Sequence, residues 1–135
     1  MVSNNKKIEL NEFIPNTEVS KQMSQAKFLI FPSEWYEGFS ITLLEAFVNK
    51  LPVLSSNIGS MKEIIKDNIN GILFNSGDIQ DLINKINKMI MNPDLLYSLK
   101  EKAYENYQNL YSKKKNYETL INIYEEIKKN YEKLS

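Results

Sequence analysis

Residues 37–46 read EGFSITLLEA, a segment in which Glu37 and Glu45 are separated by seven residues. Two apolar runs flank it, FLIFP at residues 28–32 and LPVLSS at residues 51–56. The apolar runs are typical of buried strands, and the segment between them has the composition of a loop followed by a helix. The order strand, loop, helix, strand predicts one unit of a parallel sheet, with one carboxylate in the loop and one in the helix. Such a unit can bind a phosphorylated, hydroxyl-rich ligand at the helix N-terminus.

On both sides of this segment, strand patterns alternate with helix patterns. Strands are predicted at residues 8–10, 28–31, 52–54 and 72–74. Helices are predicted at about residues 17–26, 41–49, 62–66, 79–91, 94–109 and 113–133, with caps at Asn16-Thr17, Asp78, Asn92 and Ser112. This alternation predicts an α/β fold, a partial Rossmann-like parallel sheet of about three or four strands with flanking helices and a helical C-terminal tail.

The composition excludes several kinds of chemistry. The 135 residues include 17 lysines and 17 acidic residues, but no arginine, histidine or cysteine. Disulfides, thiol catalysis, Cys/His zinc sites and histidine-dependent triads are therefore excluded, which leaves acid-base chemistry to carboxylates, lysine or tyrosine. The balanced charge and the lack of arginine argue against nucleic acid as a partner. The length predicts a single domain.

No segment has the pattern of a membrane span. Residues 1–7 lack the apolar core of a signal peptide, and no apolar run approaches the length of about 18 residues that a spanning helix needs. We expect a cytoplasmic protein, either free or peripheral to the inner face of the membrane.

Six short elements follow one another in a distinctive order. They are Pro32-Ser33, Glu37-Gly38-Phe39, Glu45-Ala46, Pro52-Val53, Gly59 with Glu63, and Gly71 before Ile72. Over about residues 20 to 94 the chain thereby resembles the nucleotide-sugar-binding domain of retaining glycosyltransferases with the GT-B fold, in glycosyltransferase group 1 or family 4. The resemblance implies transfer of a sugar from a nucleotide sugar to a saccharide or lipid-linked acceptor, in cell-surface polysaccharide synthesis. It also implies that neither a cofactor nor a metal is needed.

The resemblance assigns roles within residues 37–46. It makes Glu37 the catalytic residue, which accepts hydrogen bonds from hydroxyls of the transferred sugar. It places the donor diphosphate beside Gly38, on the backbone amides of residues 39–41 (Phe39, Ser40 and Ile41), where the helix dipole also favours an anion. Glu45 would bind both ribose hydroxyls of the nucleotide.

Each of these roles has a structural alternative. Glu37 would otherwise be an exposed loop carboxylate, Ser40 an ordinary helix cap, and Glu45 a helix-surface residue paired with a lysine.

Four further residues are candidates for the donor site. Gly59 and Ser60 either let the backbone approach the donor or simply form a turn. Trp35 and Tyr36 either shape the donor or acceptor pocket or pack in the protein interior. Glu63 is expected to lie in the first turn of a helix without contacting the ligand.

Three positions depart from the family pattern. Ser40 stands where glycine or proline is frequent, and Lys50 and Ser60 stand where glycine is usual. A left-handed conformation at Lys50 would cost about 1 kcal/mol relative to glycine.

Enzymes of this kind have a first domain for the acceptor. Their second domain opens with two strand-helix units that carry a basic clamp for the pyrophosphate, and this sequence contains no match to those units. We therefore expect an N-terminally truncated donor-binding domain spanning residues 1–135, α/β over about 1–92 and helical over about 93–135, that binds the donor weakly and turns over little by itself. Its partner would be a separate acceptor-domain chain. In the family's sheet order the missing strands lie next to the strand at residues 8–10, which would then lack its neighbour.

The C-terminal tail carries an apolar seam with spacings of three and four. Its members are Tyr117, Leu120, Tyr124, Ile127, Tyr131 and Leu134. We expect the seam to dock on this same domain; the alternative is a homo-oligomer formed through it. For the whole chain, the alternative function is a non-catalytic relic or half of a split enzyme that binds nucleotide sugars or another protein.

Overall fold

The computed structural model describes residues 7–36 and 38–134. In chain order the elements are α1 (Asn16–Gln25), β1 (Leu29–Phe31), α2 (Ile41–Val48), β2 (Val53–Ser56), α3 (Met61–Ile64), β3 (Ile72–Phe74), α4 (Ile79–Ile90), α5 (Pro93–Asn106), a π-helical turn (Tyr107–Tyr111) and α6 (Lys113–Leu134).

The three strands form a parallel sheet in the order β1-β2-β3. All four residues of β2 are buried, and consecutive side chains of a strand point to opposite faces. Val53 packs in a cluster with Phe47 of α2 and Met61 of α3, whereas Leu54 packs with Met89 of α4 and Leu99 of α5. Helices therefore cover both faces of the central strand, and the predicted α/β fold is confirmed.

The strand predicted at residues 8–10 is wrong. Those residues form no strand, and Ile8 and Leu10 are 49% and 71% exposed. A strand is stable only when a neighbour satisfies its backbone groups, and β1 pairs with β2 alone among the described strands. For the same reason β1 is an edge strand, with Ile30 39% exposed, rather than a strand covered on both faces.

Three helices, α4, α5 and α6, begin where capping residues predict. Asp78 accepts a hydrogen bond from the Asp81 amide, and Asn92 accepts one from the Leu95 amide. The Ser112 hydroxyl accepts one from the amide of Lys115 at 3.3 Å. The predicted cap at Asn16-Thr17 is wrong, because α1 already begins at Asn16 and its N-cap is Pro15, which has no side-chain acceptor. The short helix α3 covers 61–64 instead of 62–66, and the helix predicted to about 109 changes at Tyr107 into a π-helical turn.

Helix α2 ends in a Schellman motif built around a lysine. The Leu51 amide donates to the Ala46 carbonyl, the Lys50 amide donates to the Phe47 carbonyl, and Lys50 has a φ of 54°. Lys50 therefore adopts the left-handed conformation whose cost was considered from the sequence. The Lys50 ammonium lies 3.3 Å from a carboxylate oxygen of Glu101 and 4.8 Å from the ring centre of Tyr104, and these contacts offset the backbone strain.

Gly71 lies where the chain passes close to β2. A Cβ at this position would lie 2.9 Å from the Val53 carbonyl oxygen and 2.9 Å from Cγ2 of Ile65. Because the carbonyl belongs to a buried strand, it cannot move aside at low cost. We expect Gly71→Ala to lower the free energy of unfolding by about 1–3 kcal/mol, measured by urea denaturation. Gly38→Ala is the control, because no atom lies within 4 Å of a Cβ there; equal destabilisation by both variants would contradict this account.

The seam of α6 does not dock on this domain, so that prediction is wrong. Its described side chains are 47% to 74% exposed; they are Tyr117, Leu120, Tyr124, Ile127 and Tyr131. Helix α6 packs chiefly against the π-helical turn, whose five residues are far shorter than the 22 residues of the helix. Self-association through the seam stays a prediction. None of the helices in the described part of the chain could cross a membrane.

Candidate functional site

The loops after β1 and β2 meet at the carboxyl edge of the sheet. The Ser56 hydroxyl, at the end of β2, donates a hydrogen bond to the Ser33 carbonyl in the loop after β1. The Asn57 amide donates to the Phe74 carbonyl at the end of β3, at 2.8 Å. This edge is where open α/β sheets bind their ligands, so the motif segment lies at the expected place.

Part of that loop falls outside what the structure describes. Glu37, the predicted catalytic residue, lies outside the described residues, so its assignment stays a prediction. Trp35 and Tyr36 are 80% and 83% exposed. The alternative that these two rings pack in the interior is therefore wrong, and their part in a pocket stays a prediction.

The first turn of α2 has backbone amides that the N-cap side chain does not cap. Ser40 is the N-cap residue, with φ −93° and ψ 107°, but its hydroxyl accepts no hydrogen bond from the first turn. The predicted side-chain cap is therefore absent, although Ser40 is buried. Phe39 and Ile41 on either side are 53% and 67% exposed. The first-turn amides, reinforced by the helix dipole, can thus receive a phosphate group that reaches the carboxyl edge.

Glu45 lies further along α2 and faces α1. It lines a cavity of about 170 Å³ between the two helices, together with Asn16, Ser20 and Asn49. The Ser20 hydroxyl donates to Asn49 Oδ1 at 2.7 Å, and Asn49 Nδ2 donates to the Glu45 carbonyl at 2.8 Å. Within residues 7–36 and 38–134, no ion pair joins Glu45 to a lysine. The alternative of a lysine-paired surface glutamate is thereby wrong, and the carboxylate can accept hydrogen bonds from ligand hydroxyls.

The backbone conformation of the turn after β2 accounts for the glycine in it. Gly59 has a φ of 56°, a conformation that favours glycine, so turn formation alone accounts for it. The hydroxyl of Ser60 is buried and meets no hydrogen-bond partner among the described residues. A ligand reaches that hydroxyl only if the turn moves.

Sequence reasoning missed Tyr111, which the fold brings to the start of α2. Its ring centre lies 6.0 Å from that of Phe39, with the ring planes at 55°. Both rings line a cavity of about 280 Å³ beside α2, with Leu44, Leu110 and Asn116. Burial raises the pKa of the Tyr111 phenol, and the negative charge of Glu63 raises this pKa further. The π-helical turn that presents Tyr111 is a common feature of functional sites, but no pattern in the sequence predicted it.

The pKa of Tyr111 makes a prediction about stability in alkali. A phenol whose folded pKa is raised above its unfolded value favours folding below the unfolded pKa of 10.0, and this contribution is lost as pH rises through the folded pKa. We expect the free energy of unfolding, measured by urea denaturation from about pH 9 to about pH 11, to fall less in Tyr111→Phe than in the wild type. Tyr124→Phe, at an exposed tyrosine, is the control. A fall as steep in Tyr111→Phe as in the control would contradict the shift.

The described acidic side chains form no candidate metal centre. Across the described residues, no group of three or more histidine, cysteine, aspartate or glutamate side chains could hold a metal ion. Independence of metals and cofactors stays a prediction.

Comparison with known proteins decides the family. The family model for glycosyl transferases group 1 matches residues 2–106. The chain belongs to the glycosyltransferase group 1 family. The resemblance to glycosyltransferase group 1 inferred from the six sequence elements is confirmed, whereas retention and family 4 stay predictions. Gly38-Phe39 lies in the loop after β1 and Glu45-Ala46 lies on α2.

Individual relatives agree with this family and fold. A poly(ribitol-phosphate) alpha-N-acetylglucosaminyltransferase of Staphylococcus aureus is 30% identical over 121 residues, which are 88% of this chain and 24% of that protein. The sucrose-phosphate synthase structure from Thermosynechococcus elongatus aligns with a TM-score of 0.76 at 23% identity, over 84% of this chain and 28% of that one, and shows the GT-B type of fold. Anabaena HepE in complex with UDP-glucose aligns with a TM-score of 0.62 at 25% identity, over 65% of this chain and 24% of that one. The chain thus spans about a quarter of the length of each of these proteins.

Proposed function

We propose that this chain binds a nucleotide sugar and takes part in transferring the sugar with retention of configuration, as family 4 enzymes do. One observation carries the proposal. The first turn of α2, at the carboxyl edge of the sheet, has no side-chain cap, and Glu45, one and a half turns further on, lines a cavity and has no ion-pair partner among the described residues. The distance along the helix from Ser40 to Glu45 is about 7.5 Å, which suits a diphosphate followed by a ribose.

In this proposal, different residues bind different parts of the donor. The amides of Phe39, Ser40 and Ile41 hold the diphosphate, and Gly38 leaves room for it, since nothing lies within 4 Å of a Cβ there. The carboxylate of Glu45 accepts hydrogen bonds from both ribose hydroxyls. That the structure of HepE contains UDP-glucose supports a donor of this class.

The loop after β1 binds the sugar end of the donor. Glu37 accepts hydrogen bonds from the sugar hydroxyls and holds the anomeric carbon against the acceptor. Trp35 and Tyr36 form the wall of this pocket, and the turn at Gly59 and Ser60 borders it.

The chemistry rests on positioning and electrostatics. The bond between the anomeric carbon and the diphosphate oxygen breaks as the acceptor oxygen bonds to that carbon from the same face. The departing diphosphate takes up the bonding electrons as negative charge and then receives the proton of the acceptor hydroxyl. The amides at the N-terminus of α2 stabilise that charge without a metal ion. Retention requires no nucleophile among the described side chains in this scheme.

The acceptor is proposed to be held by a separate acceptor domain. A saccharide or lipid-linked saccharide fits the family, and the S. aureus relative is named for transfer to poly(ribitol-phosphate), which supports a polymer as the acceptor class. We propose polysaccharide synthesis as the setting, with the reaction at the cytoplasmic side of the membrane.

Titration calorimetry of residues 1–135 with UDP-glucose tests the donor site. Titrations with glucose and with UMP, which are fragments of the donor, measure what each fragment contributes to binding. We expect saturable binding of UDP-glucose that UDP competes away, and weaker binding of UMP, because UMP lacks the second phosphate. Backbone NMR should move the amide signals of Phe39, Ser40 and Ile41. Failure of UDP-glucose, UDP and the corresponding guanosine and adenosine nucleotides to shift these amides would overturn the proposal.

A further inference from the structure

A second cavity lies at the opposite, amino edge of the sheet. Its volume is about 310 Å³. Lys27, two residues before β1, and Pro52, the residue before β2, both line it, whereas the candidate donor site follows the carboxyl ends of the same strands. Ile90 and Pro93, at the junction of α4 and α5, close its other side. Met23 also lines the cavity that contains Glu45, so the two cavities are neighbours, but the other lining residues differ and Glu45 does not line this one.

The interior of this cavity is apolar. Pro52 is buried, and Met23 and Leu96 are half-buried among the lining residues. At its rim Ile90 and Tyr97 are 52% and 68% exposed, so the apolar surface continues outward to solvent. The volume lies at the lower end of the range of about 300–1,000 Å³ in which small-molecule sites fall.

The charged groups of the cavity all have one sign. Lys27, Lys50 and Lys100 line it, and no aspartate or glutamate among the described residues does. Glu101 offsets the charge of Lys50, at 3.3 Å, but within the described residues no salt bridge joins Lys27 or Lys100 to a carboxylate. Two ammonium groups beside an apolar interior complement a molecule that carries a negative head on a short apolar body.

We propose that this cavity binds an amphiphilic anion, a phosphate monoester of a short alkyl or aryl group. The phosphate lies between Lys27 and Lys100, and the apolar part lies against Met23, Pro52 and Leu96. Such chemistry comes either from a soluble phosphate ester or from the headgroup of an anionic lipid. Nothing in the donor-site proposal depends on this second site.

Methyl NMR of residues 1–135, labelled at methionine and isoleucine, tests the site directly with hexyl phosphate, hexanol and inorganic phosphate. We expect hexyl phosphate to shift the methyl signals of Met23 and Ile90 and to bind more tightly than either of its parts. Shifts confined to other methyls would overturn the proposal. Equal affinity of hexanol and hexyl phosphate would overturn it as well, since the lysines would then contribute nothing.

Charge-matched variants show whether Lys27 and Lys100 bind the ligand directly or act only through the overall charge of the protein. Lys27→Gln combined with Lys100→Gln should weaken hexyl phosphate binding about tenfold at low salt. Lys128→Gln combined with Lys129→Gln removes the same charge from exposed positions on α6 and should leave binding unchanged. Glu45→Gln should also leave it unchanged, which distinguishes this site from the donor site. Equal weakening by the two lysine pairs would contradict a specific site.

Vesicles distinguish the two sources of the ligand. Vesicles of phosphatidylcholine with phosphatidic acid should bind the wild type, and not the Lys27 and Lys100 double variant, if the source is a lipid headgroup. Binding of free hexyl phosphate without vesicle binding identifies a soluble ester. Vesicle binding that is the same in the double variant and unaffected by hexyl phosphate would overturn the lipid assignment.

Discussion

Replacing Phe47 by alanine is expected to lower the free energy of unfolding by about 3–5 kcal/mol. Phe47 is completely buried on α2 and packs in the cluster that includes Val53 of β2 and Met61 of α3. Its removal leaves a cavity on one face of the central strand, which backbone rearrangement fills only in part. Small domains have a total stability of about 5–15 kcal/mol, so this variant should be largely unfolded in mild denaturant.

Urea denaturation followed by circular dichroism measures this effect. Phe13→Ala is the matched control, because Phe13 is 97% exposed and its loss should change stability by no more than about 0.5 kcal/mol. Similar transition midpoints for the two variants would show that α2 does not pack on the sheet as described. Such a result would also undermine the placement of the candidate donor site on α2.

Glu45→Gln is expected to weaken the binding of UDP at least about tenfold, since each hydrogen bond to a charged group contributes about 1.5–3 kcal/mol. The glutamine keeps the shape of the side chain and one acceptor oxygen but loses the charge that the two ribose hydroxyls would share. Glu45→Ala should weaken binding further, because it removes both oxygens. The expectation rests on a carboxylate that lines the cavity between α1 and α2.

Titration calorimetry with UDP measures this difference. Glu125→Gln makes the same charge change at an exposed position on α6 and should leave the affinity unchanged. Unaltered UDP affinity in Glu45→Gln, in a protein that still binds UDP, would remove the ribose role from Glu45. The proposal that the chain binds nucleotide sugars would survive that result, since the amides at the start of α2 hold the diphosphate.

The parts of the fold that sequence predicted well are those fixed by local pattern and by burial on both sides. β3 at residues 72–74 and α4, with its Asp78 cap, lie where their apolar spacing and capping residue placed them. The segment at residues 8–10 has a similar local composition, but a strand also needs a neighbour, and pattern alone cannot supply one. The apolar seam of α6 was recognised from the sequence, but the prediction that it docks on this domain was wrong. The spacing of apolar residues defines a contact face and does not say what covers it.

The candidate site divides in the same way. The order of the family elements placed Ser40 and Glu45 on one helix at the carboxyl edge, and the fold confirms that placement. The proximity of Phe39 and Tyr111 joins residues far apart in the chain through a π-helical turn, and no local pattern encodes it. Asn16 and Ser20 were likewise missed as neighbours of Glu45, since the packing of α1 against α2 brings them there.

The two edge strands of the sheet, β1 and β3, differ in the exposure of their apolar side chains. Ile72 and Phe74 of β3 are 0% and 4% exposed, whereas Ile30 of β1 is 39% exposed. A strand added beside β1 would cover Ile30, whereas Ile72 and Phe74 of β3 are already covered. With only three residues in β1, an added strand would gain few hydrogen bonds, so extension of this sheet would depend on side chains covering Ile30. The border at β1 is thus the side of the sheet on which an added strand, including one from another copy of the chain, would bury apolar surface.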